Sequence, residues 1–315
     1  MKRQHQPRQS CARIPQRVLA VRRTLPGLFG LSLALAGCNK PFVLDPEGAV
    51  GRAENMIIVD TTIIMLAIVV PTIIGLLAFA WWFRASNTRA TYLPEWTFSG
   101  RVEVLDWTIP LLTIMLLGSV AWIGSHDLDP AKPLDSRTPP LEVQVISLDW
   151  KWLFIYPHQG IATVNQLFIP SATPIHFSLT SASVLNAFFI PQLGTMIYTM
   201  NGMTTQLFLV ADRPGVFYGL SSHFSGDGFS DMHFEVHALG GDQFEKWVKD
   251  TRNAGSTLDS NAYIHLSNQS SNVAPHSYGG VAPGLFEKIV SQKLPPGPGP
   301  RADRAGASVS PRTEN

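Results

Sequence analysis

Beyond residue 38 this chain of 315 residues has no cysteine, and its only two, Cys11 and Cys38, lie near the N-terminus. That absence excludes a disulfide framework and any thiolate-bound metal from residue 39 onward. Charge is also scarce: 15% of residues are Asp, Glu, Lys or Arg, against about 25% in an ordinary soluble domain. Neither sign dominates, with 24 basic and 23 acidic residues. No basic helix face with interleaved aromatics is present, so nucleic acid is not a partner. The charge deficit is local, and two long apolar runs account for it.

The first run without a charge extends from Thr61 to Phe83 and is closed by Arg84. The second extends from Trp107 to Ser125. Each is long enough to cross a hydrocarbon core as a helix. Pro71 and Pro110 are tolerable there, because neighbouring groups re-satisfy the freed carbonyls. Trp81, Trp82, Trp107 and Trp122 stand near the run ends, where amphipathic rings meet the interface. Arg84, Arg89 and Arg101 lie between the runs, which predicts a cytoplasmic hairpin with both outer ends on the far side. Asp60 reads as a boundary charge.

Ahead of the hairpin, residues 1–23 are basic and an apolar stretch follows from Leu25 to Ala36. It is too short to span and reads as a signal peptide over 1–37. Its ending, Leu35-Ala36-Gly37-Cys38, resembles a bacterial lipobox and predicts lipidation at Cys38. The lipidated start and hairpin then occupy 38–126, and a Pro-rich linker 127–140.

From Leu141 the hydrophobic period changes to two. Short β-prone runs (LEVQV, DWKWLFIY, ATVNQLFI, PIHFSLT, TQLFLV, VFYGL, MHFEVHA) alternate with Gly, Pro, Asn and Asp over 141–240. The pattern predicts an all-β sandwich, and also admits a small barrel. A helical extension follows over 241–294. There Asp242 and Glu245 form a capping-box-like start to a helix with Phe244, Trp247 and Val248 on one face, and a second helix runs near 285–292. The Pro- and Gly-rich tail, 295–315, is predicted to be disordered.

The order of elements and several motifs resemble subunit II of the haem-copper oxidases, within the cytochrome o type quinol oxidase branch. The motifs are RASN at 84–87, S-x-D-W-K-W-x-F-I-Y-P from Ser147, GIATVNQ from Gly160, F-F-I-P-Q-L-G from Phe188, and Y-G-L-S-S-H-F-S-G-D-G-F-S-D-M from Tyr218. The resemblance implies two transmembrane helices followed by a cupredoxin-like sandwich with short C-terminal helices. It also implies a place beside oxidase subunit I, together with subunits III and IV, in a bacterial inner membrane. There ubiquinol is the substrate of the complex, and haems and copper belong to subunit I.

Copper-bearing relatives hold a binuclear centre on two thiolates four residues apart, two His, a Met and a carbonyl. Placed on that pattern, this chain has Ser221 and Ser225 for the thiolates, and Asn186 and Phe229 for the imidazoles. His223 stands at the carbonyl position, and only Met232 is retained. The resemblance therefore implies no cofactor in this chain. It also marks Glu103, at the start of the second run, as a carboxylate at the proton entrance, with Asp106 as the lesser candidate. A different reading of the layout is a free-standing lipoprotein with a cupredoxin-like copper-handling or assembly role. His223, His233 and His237 are close in sequence, but two of them on one strand face read first as a hydrated surface. Trp150 and Trp152 read as packing residues.

Overall fold

The computed structural model describes residues 42–299, except Tyr92 and Pro94. The predicted signal peptide, Cys38 and the tail beyond residue 299 lie outside the described residues.

Two long helices open the described chain: α1, Ala49–Trp82, and α2, Gly100–Asp127. Both contain their prolines within the helix. Only Val50 and Gly51 of α1, and nothing of α2, are buried within the chain. Such exposed apolar length has no stable place in water, and both helices are long and apolar enough to cross a membrane.

Helix α1 begins twelve residues before its charge-free run, and those residues dock on the β domain. Gly51 N donates to Leu193 O at 3.0 Å and Glu47 N to Gln192 O at 2.7 Å, while Glu47 O accepts from Asp212 N at 2.9 Å. Ion pairs Arg52–Asp212 and Arg213–Glu47 flank the junction. A Cβ on Gly48 would lie 2.4 Å from Val210 O, so only glycine allows this approach.

The β domain is a two-sheet sandwich, not a barrel. One sheet runs from an edge strand, His276–Tyr278, through β3 (Ile161–Val164), β2 (Lys151–Tyr156), β1 (Leu141–Leu148) and β5 (Ile175–Ser181) to β8 (Thr205–Leu209). The other runs through β4 (Gln166–Pro170), β10 (His233–Leu239), β9 (Gly215–Ser221), β6 (Asn186–Phe189) and β7 (Ile197–Thr199). β1 pairs antiparallel with β2, and β9 with β10. Between the sheets, Trp152, Phe154, Phe188 and Phe234 meet mostly edge to face at 5.0–6.4 Å, with Phe188 and Phe234 stacked. These offset geometries suit aromatic quadrupoles.

β2 is buried on both faces, although its sequence reads as an alternating strand. The reason lies in the C-terminal extension. Ile146, Leu148, Leu153 and Ile155 form a second core with Tyr263, Phe286 and Ile289. Helix α3 spans Gly241–Ala254, α4 Ser260–Ser267 and α5 Leu285–Val290.

Three expectations are corrected here. Helix α3 is capped by Gly240 without a side-chain bond, so Asp242 sits inside the first turn and no capping box forms. Trp150 leaves the strand for a turn, at φ 66°. The tail is ordered at least to residue 299: Gly297 N donates to Ala182 O at 2.8 Å and Gly299 N to an Asp149 carboxylate oxygen at 2.9 Å. The backbone of a proline- and glycine-rich segment is held where polar partners are waiting.

Candidate functional site

The loop between β9 and β10 runs from Ser222 through a 3-10 turn at Phe229–Asp231 to Met232. Its ends are zipped by Ser221 N donating to Met232 O at 3.0 Å, and Ser222 N bonds Ala187 O at 3.0 Å on β6. Those two contacts fix where the side chains go. Ser221 Oγ lies 3.3 Å from Asn186 Oδ1 and 3.3 Å from His223 O. Ser225 Oγ points at Met232 Sδ, 3.9 Å away. Asn186, Ser221, Ser225 and Met232 are all buried.

The other two positions do not join them. His223 is exposed, with its ring edge-on to Tyr198 at 5.8 Å. Phe229 is half-buried against Phe224, ring centroids 5.6 Å apart.

Trp150 supports the loop from below. Its Nε1 donates to Ser225 O at 3.1 Å, and its indole lies so close to Gly228 that a Cβ there would be 2.5 Å from the ring. Trp152, two residues on, is fully buried in the aromatic core. Both tryptophans pack.

The gathered donors are two hydroxyls, a carboxamide and a thioether. A serine hydroxyl keeps its proton near neutrality and is a hard donor, whereas a bridged copper pair needs soft, ionised sulfur. The Ser221 hydroxyl is also already engaged by the Asn186 amide. These residues do not fit the binuclear copper centre of the copper-bearing relatives.

His233 and His237 share a face of β10, as predicted. The His237 ring stacks on Phe168 at 4.7 Å and its Nε2 lies 3.3 Å from a Glu235 carboxylate oxygen. The His233 ring stacks on Tyr218 at 5.7 Å. Among the described residues no three His, Cys, Asp or Glu side chains converge as a metal site. Glu103 stands exposed in the first turn of α2, and among the described residues no ion pair joins it to Arg101. Asp106 is exposed three residues on, and Asp60 is exposed within α1.

Sequence reasoning missed a buried charged pair under the same turn. The Asp149 carboxylate accepts from Ser183 Oγ and from Gly299 N. Lys151 is fully buried, and its Nζ donates to Asn268 O at 2.7 Å and to Ser270 Oγ at 2.6 Å. Burial pushes the Lys151 ammonium down to about 8, opposed by the Asp149 charge. The signal was visible as two charges flanking Trp150 inside an otherwise aromatic strand.

Residues 142–239 match the family model for the periplasmic domain of cytochrome c oxidase subunit II, and residues 252–297 match the oxidase aromatic-rich motif. The chain is 50% identical to ubiquinol oxidase subunit 2 of Acetobacter aceti, over 84% of this chain and 87% of that one. It is 46% identical to cytochrome bo(3) ubiquinol oxidase subunit 2 of Pseudomonas aeruginosa, over 83% and 78% respectively. A quinol oxidase subunit 2 of Bacillus cereus is 37% identical over 75% of this chain and 82% of its own length.

Proposed function

This chain belongs to the ubiquinol oxidase subunit 2 family, and we propose that it serves as subunit II of a proton-pumping quinol:oxygen oxidoreductase without carrying a redox centre. The observation that carries this reading is the donor set at Asn186, Ser221, Ser225 and Met232, positions that the motif resemblance aligns with copper ligands: two hydroxyls, a carboxamide and a thioether. A water-soluble one-electron donor would need a relay at this face. A quinol dissolved in the membrane does not. Its electrons go directly to the haems and copper of subunit I, and this chain stabilises that subunit through its hairpin.

The finer assignments follow the same reading. The Arg84, Arg89 and Arg101 side of the hairpin faces the cytoplasm, the sandwich covers the periplasmic face, and Cys38 carries the lipid. Glu103 then stands at the cytoplasmic end of the second span, where a carboxylate can pass protons toward subunit I. Subunits III and IV complete the complex. The domain limits are 38–126 for the anchored hairpin, 127–140 for the linker, 141–240 for the empty cupredoxin-like domain and 241–294 for its helical extension. A free-standing copper-handling lipoprotein finds no support among relatives matched over most of their length.

The test is the purified membrane complex. It should contain haem, oxidise ubiquinol and leave reduced cytochrome c untouched. A paired-copper signal assigned to this polypeptide, or turnover with cytochrome c alone, would overturn the reading.

A further inference from the structure

The RASN motif is not explained by the oxidase reading, yet it is the most built part of the hairpin turn. Arg84 follows directly on the first span. Its Nη1 donates to Trp81 O at 2.7 Å, its Nε to Ser86 Oγ at 3.1 Å, and its guanidinium carbon lies 4.6 Å over the Trp81 ring. Asn87 Nδ2 donates to Trp82 O, and Asn87 Oδ1 accepts from Arg89 N at 3.1 Å. Together the two side chains close the last carbonyls of α1, which a helix end otherwise leaves open. Two of the five guanidinium N–H groups are engaged by these bonds, which leaves three on a fork suited to phosphate oxygens.

Beside this fork is a cavity of about 720 Å³. Its walls include Phe79, Phe83, Leu93 and Trp96 as well as Arg84 and Asn87. Phe79 and Phe83 stack at 6.0 Å and form one continuous aromatic wall. Depth separates the two kinds of wall. The charge-free run of 23 residues, Thr61 to Phe83, is about 34 Å long as a helix, slightly more than a hydrocarbon core of about 30 Å. Phe79 and Phe83 therefore lie at the depth of the first acyl methylenes, and Arg84 and Asn87 at the depth of the phosphates. Charge agrees with the placement: in the turn between the two helices, Arg84 and Arg89 stand against a single acid, Glu95.

We infer that this cavity binds one anionic phospholipid, its phosphodiester on Arg84 and its upper acyl chain along Phe79, Phe83 and Trp96. A volume in the range of ordinary ligand sites, an apolar wall and a cationic fork at the matching membrane depth are what such a lipid requires. The inference rests on the reading that both apolar helices span the membrane.

The experiment uses the intact oxidase complex, stripped of lipid in detergent and then titrated with phosphatidylglycerol, phosphatidylcholine or inorganic phosphate, with bound lipid counted by native mass spectrometry. One phosphatidylglycerol should be retained in preference to phosphatidylcholine, and inorganic phosphate should not displace it. Arg84→Gln should weaken retention about tenfold, the loss of one charge-assisted contact. Ala90→Trp, which places an indole in the cavity while Arg84 is kept, should weaken it as well. Equal retention of both lipids, displacement by phosphate, or unchanged retention in both variants would overturn the site. A photoreactive phosphatidylglycerol gives a readout on the unmodified complex. Adducts within residues 79–96 support the site, and adducts confined to other subunits mean that a partner covers it and the inference is wrong. Haem content and quinol oxidation by the same preparation report separately on the proposed function.

Discussion

Replacing Asp149 with asparagine keeps the shape of the side chain but removes its charge, and the C-terminal strap should loosen as a result. The carboxylate accepts two hydrogen bonds at a buried position, from Ser183 Oγ and from Gly299 N. A hydrogen bond to a charged group contributes about 1.5–3 kcal/mol and a neutral one about 0.5–1.5. An asparagine can orient its carbonyl toward Gly299 and its amide toward Ser183, so both contacts persist in weaker form. The net loss is then about 2 kcal/mol for local opening of residues 295–299. That converts to roughly 30-fold faster amide exchange at Gly297 and Gly299. Lys151 loses its countercharge at the same time, and its depressed ammonium falls further. Hydrogen exchange of the intact complex, read by mass spectrometry on the peptide covering 295–299, measures this directly. Exchange within twofold of the parent protein would refute the clamp, as would acceleration spread evenly over the sandwich.

Four further outcomes follow. The Lys151 ammonium sits near 8 in the folded chain and about 10.4 unfolded, so the unfolded state binds more protons between those values. Stability of the sandwich should therefore rise from pH 8 toward pH 10, by up to ~2.5 kcal/mol. It should fall above pH 10, because burial raises the Tyr156 and Tyr263 hydroxyls and the unfolded chain ionises first. Near-UV circular dichroism melts of the complex across this range should show the rise, and Lys151→Met should erase it. Gly48→Val puts a side chain onto Val210 O and Leu193 O, costing about 1–3 kcal/mol by overpacking, and the yield of assembled complex should drop. Gly228→Ala drives a methyl into the Trp150 indole and should unseat the bond to Ser225 O. Combined with Trp150→Leu, the two changes should be non-additive by about 1 kcal/mol, and simple additivity would break the coupling. Glu103→Gln should slow turnover about tenfold, ~1.4 kcal/mol in the limiting step, with assembly intact; unchanged turnover and pumping remove it as the proton entrance.

Much of this arrangement is legible in the sequence because it depends on one-dimensional signals. Charge-free runs of sufficient length dictate the spans, and the period of two from Leu141 dictates strands. What the sequence conceals is tertiary. The first twelve residues of α1 carry Arg52, Glu54 and Asp60, and their helix is anchored where Glu47 N and Gly51 N bond the carbonyls of the 190–193 turn. Helix α4 is short and rich in Ser and Asn, although Asp259 capping the Ala262 N–H was a readable start. The tail at 295–299 reads as disordered by composition, and its partners, Asp149, Ala182 and Gln269, are all distant in sequence. The site divides in the same way. The resemblance to the copper-bearing motif marks Asn186, Ser221, Ser225 and Met232, and the fold buries them around the β9–β10 loop; the Asp149–Lys151 clamp appears only once the extension covers β2.

That clamp bears on why a sandwich of this kind keeps its loop without a metal to organise it. A binuclear centre would tie β6, β9 and the loop together through its ligands. Here the same elements are joined by the Ser221–Asn186 and Ser222–Ala187 contacts and by the Trp150 bond to Ser225 O. Trp150 holds its place at a left-handed φ that costs a bulky residue about 1–2 kcal/mol. It can hold that conformation because the residues on either side of it are fixed. Asp149 is tied to the strap and Ser183, and Lys151 to Asn268 and Ser270. The order of the loop thus depends on the aromatic-rich extension through a single turn, and the extension in turn covers the outer face of β2 with Tyr263, Phe286 and Ile289. Stability that copper bonds could supply at one point is distributed over hydrogen bonds and ring packing. For that reason, damage to the extension should disturb the loop even though the two share no covalent or metal link.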